Sequence, residues 1–545
     1  MIPLLAASTA LVVSLVVIPL MTHLAPRLGL LDEPNARKIH VQPIPRVGGW
    51  GIAVGTLAAI TLWMPEGRAS MALVVGGLTL LIAGAVDDIR DLPGKVKLGL
   101  QTLAIVPVVV YSGLAVEVLP LIGDLHLPYA LATLLTVIGL LAFINATNTS
   151  DGLDGLAAGA TLLSLFGILF VAVNVDAVDI VLLTAATLGG LIGFLRYNTH
   201  PAIIFMGDIG SQFLGFAVGF LALALHQAAP EAVSPWALLL LVGLPAADIA
   251  MVALHRLSSG VSLFRPDKSH IHHRFLDLGF SHAQSVIIFY TLQGVFVFFG
   301  AALRTSSPWR ILLVYALLVA VIYGFLSLAE VSRADRIARK PDPARINGRL
   351  EPPRHALLWV PRVLLETLLP LVLVTAAIVA MEVPLDFGIL GILLLVVLVT
   401  QQLSETLRGL FATRISVFLT ATAVLYLYAN YRPFESAVSQ LIELALVASL
   451  ALLAFIAVRF SPKRRKDEFR ATAMDHLLIV FAILAVFALR STPSAFNPYF
   501  LLYLPVVLYS IELLMIERRQ RTNWLPPAAL AAAGILAVRG LLPVI

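Results

Sequence analysis

Apolar positions along this chain come in long unbroken runs, not in the alternation of a half-buried strand or the single stripe of an amphipathic helix. The runs are roughly 17 to 25 residues long, enough for a helix to cross about 30 Å of hydrocarbon. They predict about eleven spans before a polar break, at Pro3–Ala25, Gly48–Met64, Met71–Val86, Leu98–Leu114, Tyr129–Ile144, Leu156–Val173, Val178–Leu195, Ser211–Leu225, Ala237–Leu254, Val286–Leu303 and Ile311–Leu328. About seven more follow, at Ala356–Ala380, Phe387–Val399, Ile415–Ala429, Leu441–Val458, His476–Leu489, Tyr499–Met515 and Pro526–Val538. The break carries Arg333, Arg336, Arg339, Lys340, Arg345 and Arg349 among prolines and reads as a linker. The chain thus divides into a membrane module over 1–330, a basic linker over 331–355 and a second membrane module over 356–545. Only helices and closed barrels satisfy their backbone in lipid, and the short alternating segments of a barrel are missing. The expected fold class is all-α, a polytopic transmembrane helical bundle. The first run lacks a basic n-region and a cleavage site and is expected to remain as a helix.

Composition agrees, with 59% apolar and 13% charged residues, where soluble domains run to about half and about a quarter. With no cysteine, disulfides and thiolate metal sites are excluded. The net charge of +5 sits mostly beside span ends, so it reports membrane topology and not a nucleic-acid partner. Sorted by loop parity, one set of loops in the first module holds Arg68, Arg304 and Arg310. The other holds Arg27, Arg37, Lys38, Arg46, Arg90, Lys95, Lys97, Arg196, Arg256, Arg265, Lys268 and Arg274, together with the linker. That asymmetry places the second set in the cytoplasm and both termini outside.

The chemistry-bearing clusters all fall in the cytoplasmic set. They are Asp32-Glu-Pro-Asn-Ala-Arg-Lys-Ile-His40 with Pro45-Arg-Val-Gly-Gly49, then Asp87-Asp88, then Asn145 to Gly155, then Phe205-Met-Gly-Asp-Ile-Gly-Ser211, and Pro266 to His273. Taken singly, each has a plain structural reading as a helix cap, a solvated terminus or a topological anchor. Independent caps and anchors have no reason to avoid every outer loop. Asp87, Asp88, Asp151, Asp154 and Asp208 would be costly near a membrane without a cation. Hard oxygen donors favour magnesium shared with substrate phosphate oxygens. The spacing of His270, His272 and His273 does not put two imidazoles at i and i+4, which argues against zinc there. Glycines at 152, 155, 207 and 210 would let backbone amides approach an anion. A phosphate-bearing substrate is expected. The alternative reading, a transporter of nucleotide-sugars or lipid-linked sugars, would place its polar sites near the bilayer midplane in repeated halves, and no such repeat is visible.

With these motifs in order, residues 1 to 329 resemble the polyprenyl-phosphate N-acetylhexosamine-1-phosphate transferases, in the N-acetylglucosamine-type branch. The resemblance implies a bacterial inner-membrane enzyme with a cytoplasmic active site. Such an enzyme moves a sugar 1-phosphate, most simply GlcNAc-1-phosphate, from a UDP-sugar to polyprenyl phosphate and releases UMP as the first membrane step of cell-envelope polysaccharide synthesis. By the same resemblance Asn148 and Asp208 hold magnesium, for which manganese is the substitute, and Asp87 and Asp88 are the catalytic pair. Asp154 and Phe205 take the uracil, and Asp151, His270, His272 and His273 line the diphosphate and sugar. Arg37, Lys38, His40 and Arg46 face the lipid phosphate. Partners implied are the UDP-sugar, the polyprenyl phosphate and the membrane, with a homodimer left open. The second module is the departure from the shorter family members.

Overall fold

A computed structural model of the chain describes residues 2–33, 43–63, 67–121, 123–262, 269–338, 355–403, 410–431, 446, 449–450, 453, 499–516 and 524–541. The first part is built from α1 (Ile2–Leu28), α2 (Gly48–Trp63), α3 (Arg68–Arg90), α4 (Gly94–Ser112), α5 (Tyr129–Ser150), α6 (Leu156–Asn174), α7 (Val178–Asn198), α8 (Gly207–Ala228), α9 (Pro235–Ser258), α10 (Ile271–Asp277), α11 (His282–Ala302) and α12 (Pro308–Ala338). Two antiparallel hairpins interrupt them, β1 (Leu31–Asp32) with β2 (Ile44–Pro45) and β3 (Val118–Leu121) with β4 (Gly123–His126). Ten of these helices are long and apolar enough to cross a membrane, and α2, at 16 residues, is a shorter apolar helix. These are the eleven expected spans. Helix α10 is an addition inside what the hydropathy pattern leaves as a loop.

Helix α8 is the axis of this bundle: 89% of its apolar window is buried, against 17% for α12. Phe213, Phe216 and Phe220 on α8 are wholly buried. Lipid gives little hydrophobic drive for helices to associate, so close contact relies on small residues that let backbones approach. The start of α8 is surrounded by them. A Cβ at Gly84 of α3 would stand 2.6 Å from the Cα of Ile209, and one at Gly210 would stand 2.8 Å from the Cα of Gly49 in α2. A Cβ at Gly215 would stand 2.7 Å from the Cα of Ile144 and 3.1 Å from Oγ1 of Thr147, both on α5.

Helix α9 is broken at Gly243, whose φ of +36° and ψ of −112° are not helical, with Pro245 following. The backbone N–H released by the break, at Leu244, donates to Gln293 Oε1 at 2.8 Å, and Gln293 Nε2 donates to Ser164 Oγ at 2.9 Å. Such satisfaction by a neighbouring helix is what lets a break survive in lipid.

Three segments that read as loops are helix ends. Asp87 and Asp88 lie in the last turn of α3, Asn145 to Ser150 are the final turns of α5, and Gly207 to Ser211 open α8. Helix α12 also runs to Ala338, beyond the Val331 start expected for the linker.

The chain forms two compact units, the first Met1–Pro341 with Thr472–Leu477 and the second Asp342–Ala471 with Leu478–Ile545. Helices described in the second are α13 (His355–Val379), α14 (Leu385–Leu403), α15 (Leu410–Asn430), α16 (Tyr499–Ile516) and α17 (Leu525–Leu541). Leu365, Leu369, Leu373, Val417, Leu425 and Ile511 form its core. Arg539 Nη1 caps α13 by donating to Ala377 O at 3.0 Å and Ile378 O at 2.6 Å. The expected span His476–Leu489 lies outside the described residues, as does most of Leu441–Val458.

Because a methyl group at Gly84 would collide with the α8 backbone, Gly84→Ala should cost about 1 to 3 kcal/mol through overpacking. The thermal unfolding midpoint of the purified protein should fall by several degrees, and an unchanged midpoint would contradict this packing.

Candidate active site

The site is assembled where the end of α3, the start of α4, the end of α5 and the start of α8 meet. Asp88, buried in the last turn of α3, accepts from Asp208 N at 2.9 Å through Oδ1 and from Ile209 N at 3.2 Å through Oδ2. It thereby satisfies amides that a helix start leaves without internal partners. Asp87 accepts from Leu92 N at 3.0 Å and from Gln212 Nε2 at 3.3 Å. Its Oδ2 also pairs with Lys97 Nζ at 2.8 Å, and the same ammonium pairs with Asp208. Asn148 Nδ2 donates both to Asp208 Oδ1 and, at 2.9 Å, to Ser211 Oγ. Asp87, Lys97, Asp208, Asn148 and Ser211 are therefore one connected polar group.

Asp151 follows α5 directly, its N–H donating to Asn148 O at 3.2 Å. Withdrawal from water, then the charges of Asp208, Asp88 and Asp154, push its carboxyl up to about 7. Asp154 moves the other way. Burial raises it, but the hydrogen bonds from His200 and from Ala202 N, with the nearby His282 and His200 charges, outweigh that and hold it below its usual value. Phe205 is fixed through its backbone: Phe205 N donates to Pro45 O and Phe205 O accepts from Gly48 N, both at 2.9 Å. Arg46, beside it in the bridge to Phe205, is ion-paired with the buried Asp32. Arg37, Lys38 and His40 lie outside the described residues.

The histidine motif reaches the same end of the bundle from α9 and α10. His270 Nδ1 lies 2.8 Å from Asp248 Oδ2, and Asp248 Oδ1 accepts from Ile271 N at 3.0 Å and from the Tyr323 hydroxyl at 3.2 Å. His272 is buried, its ring 4.2 Å from that of His273, and a side chain at Gly152 would run into it. Among the described residues neither ring nitrogen of His272 has a hydrogen-bond partner. Burial first, then the positive charges of His273 and His270, lowers its pKa to about 3.

Sequence reasoning overlooked Lys97, Gln212, Asp248, His200 and His282. Lys97 was sorted among topological charges. Asp248 carried an available signal, since an ionisable residue within an apolar span is by default functional or partnered.

This arrangement is that of a polytopic membrane transferase. Residues 70–226, from the start of α3 to the end of α8, match the family described as Glycosyl transferase family 4. The chain is 32% identical over 327 residues to the probable undecaprenyl-phosphate N-acetylglucosaminyl 1-phosphate transferase of Bacillus subtilis (strain 168), covering 91% of that protein with 58% of its own length. It is 32% identical over 341 residues to the decaprenyl-phosphate N-acetylglucosaminephosphotransferase of Mycolicibacterium smegmatis, covering 83% of that protein with 56% of its own length. The undecaprenyl-phosphate alpha-N-acetylglucosaminyl 1-phosphate transferase of Escherichia coli O157:H7 is 29% identical over 326 residues, 87% of its length and 58% of this chain's. The chain belongs to the polyprenyl-phosphate N-acetylhexosamine-1-phosphate transferase family, which does not favour the transporter alternative.

The environment of His272 has a pH consequence. Its folded pKa of about 3 lies below the ordinary 6.5, so between those values the unfolded chain binds the extra proton and the fold does not. Stability from this residue is complete above pH 6.5 and is lost as pH falls towards 3, with a limiting slope of about 1.4 kcal/mol per pH unit. The thermal midpoint of His272→Gln should depend less steeply on pH across that window than that of the unmodified protein. Equal slopes would refute the burial of a neutral imidazole.

Proposed function

We propose that the first unit transfers N-acetylglucosamine 1-phosphate from UDP-GlcNAc to a polyprenyl phosphate, releasing UMP, at the cytoplasmic face of a bacterial inner membrane. The observation that carries this reading is the connected group of Asp87, Lys97, Asn148 and Asp208 at one end of the bundle. The names of the relatives supply the acceptor class and the transferred group. The placement of Lys and Arg supports the orientation.

A magnesium ion fits the donor set. Asp208 and Asn148 offer carboxylate and amide oxygens, the amide's O and N being interchangeable by a flip of the side chain. Lys97 shows that the space between Asp87 and Asp208 is one where a positive charge is stabilised. When bound, the ion would neutralise diphosphate oxygens and the charge left on UMP. The protein's own groups do the rest. Asp88 fixes the first turn of α8 and with it Asp208, while Asp87 orients the acceptor phosphate. Lys97 offsets charge on the transferring phosphoryl group. Asp154 receives the nucleobase N–H and Phe205 stacks on the ring. Asp151, His270, His272 and His273 line the diphosphate and sugar, and Arg37, Lys38, His40 and Arg46 meet the lipid phosphate. An acceptor oxygen attacks the β-phosphorus, its bond to the UMP oxygen breaks, and the sugar phosphate passes to the lipid. Because a phosphate monoester has a second pKa near 6, the acceptor is largely dianionic at neutral pH and does not need a strong base.

Full-length protein supplied with polyprenyl phosphate, magnesium and a panel of UDP-sugars should release UMP and form the lipid product with UDP-GlcNAc. Asp208→Asn should lower kcat on the order of a hundredfold or more while leaving the thermal midpoint near that of the unmodified protein; Lys97→Met, which leaves the buried Asp87 without its cation, should lower kcat comparably and lower the thermal midpoint as well. Well-folded variants with near-normal turnover would remove these residues from the chemistry. Ending the chain after Pro341, the boundary of the first unit, should leave UMP release per folded molecule within about threefold, since stable compact units retain their own cores. Loss of turnover with intact folding would assign part of the acceptor site to the second unit.

A further inference from the structure

Beside the nucleotide pocket proposed above lies a second group of ligating side chains. Among the described residues, Asp154, His200 and His282 bring one carboxylate oxygen and two imidazole nitrogens within 4.8 Å of one another. We propose that these three residues bind a transition-metal ion of the zinc class, distinct from the magnesium fitted to Asn148 and Asp208, and that an ion held there excludes the UDP-sugar.

The three donor atoms lie close enough for one ion to reach all of them after side-chain movement. Asp154 Oδ2 stands 2.6 Å from His200 Nδ1 and 4.0 Å from His282 Nε2. The two imidazoles stack with centroids 4.3 Å apart and planes 24° from parallel. Among the described residues the buried His282 Nε2 has no hydrogen-bond partner, although it faces a carboxylate. A tetrahedral zinc centre with ligand bonds of about 2.0 to 2.2 Å needs its donor atoms about 3.4 Å apart. Reaching that spacing takes His200 outward from 2.6 Å and His282 inward from 4.0 Å, and turns the two rings out of their stack so that one ion can lie in the plane of each; His200, 43% exposed against 16% for His282, is the freer to turn.

The other two ligands are held in place. Ala202 N donates to Asp154 Oδ2 at 3.1 Å. His282 is the first residue of α11, which starts in a capping box formed by Ser281 and Gln284. Each ligand comes from a different segment: the turn after α5, the turn after α7 and the start of α11. Two imidazoles and one carboxylate suit zinc, nickel or copper, whereas magnesium prefers oxygen donors and water. The blocking effect rests on the reading that Asp154 receives the nucleobase, because a metal ion on that carboxylate would take away the acceptor.

The test uses full-length, untagged protein in detergent with saturating magnesium. Zinc is titrated against a chromophoric chelator, and cobalt is added separately as a spectroscopic probe. Zinc should bind at one site per chain, and cobalt should give the visible ligand-field absorption of a low-coordinate nitrogen and oxygen site. His200→Gln and His282→Gln should each weaken zinc binding by about tenfold or more. In the unmodified protein zinc should raise the apparent KM for UDP-GlcNAc and leave that for polyprenyl phosphate unchanged. Absence of stoichiometric binding, or binding unchanged in both variants and therefore seated elsewhere, such as on His270 to His273, would overturn the proposal. A His273→Gln variant, outside the proposed ligands, should bind zinc and give the cobalt spectrum of the unmodified protein, so that loss of binding there would overturn the proposal even if a His200 or His282 variant folds poorly. Zinc that binds as expected but leaves the KM for UDP-GlcNAc unchanged would confirm the metal site and refute the nucleobase role of Asp154.

Discussion

The grip of Asp88 on the first amides of α8 is the contact from which the rest of the site follows. A helix start has free N–H groups and a partial positive charge, both costly in an apolar setting unless an acceptor meets them. Here the acceptor is a carboxylate from another helix, and its two oxygens are used on consecutive amides, Asp208 N and Ile209 N. That pins the end of α3 to the start of α8 at a distance the glycines at 84 and 210 permit. Asp87, next along α3, then lies within reach of the same ammonium as Asp208, and Lys97 spans the gap.

Among the described residues the charges do not balance, and the imbalance has a direction. Asp87 and Asp208 share Lys97, Asp154 has His200, and Arg46 is occupied by Asp32. Among the described residues Asp151 has no comparable cation; withdrawal from water first, and then the charges of Asp208, Asp88 and Asp154, raise it, whereas Asp154, a few residues on, is lowered. Two carboxyls in one turn driven apart in this way mark a region built for additional positive charge. A substrate diphosphate arriving with a divalent cation would supply it, and an isolated phosphate anion would make matters worse.

The spans were legible because hydrophobicity reports which segments can lie in lipid, and that property is local. The helix ends were not. Asn145 to Ser150 and Asp87–Asp88 are polar, so they read as loops, yet their backbones continue the helical ladder and only their side chains leave the apolar layer. Most of the candidate residues were visible through motif spacing, and the structure brings Asp87, Asp88, Asn148, Asp151 and Asp208 together. What spacing could not reveal were contacts between distant segments: Lys97 with Asp208, 111 positions apart, and His200 with Asp154, 46 apart. Lys97 was hidden for another reason, since a lysine at a span boundary already has a sufficient topological explanation.

The break in α9 shows how a feature inside the bundle sets a position at its end. Gly243 departs from helical geometry, and Gln293 of α11 takes the N–H that the break leaves free. The direction of the second half of α9 is thus set by its contact with α11, not by continuation of its first half. That second half carries Asp248, which accepts from both the His270 ring and the Ile271 amide and so fixes where α10 begins. Helix α10 in turn seats His272 against Gly152, in the turn that holds Asp151. A straight α9 would carry Asp248 away from α10 and leave a buried carboxylate without its partners, a cost of several kcal/mol. The glycine break, whose freed N–H is met by Gln293, and the buried aspartate, met by His270, Ile271 and Tyr323, are therefore two parts of one device: the break sets the direction that brings Asp248 to its partners.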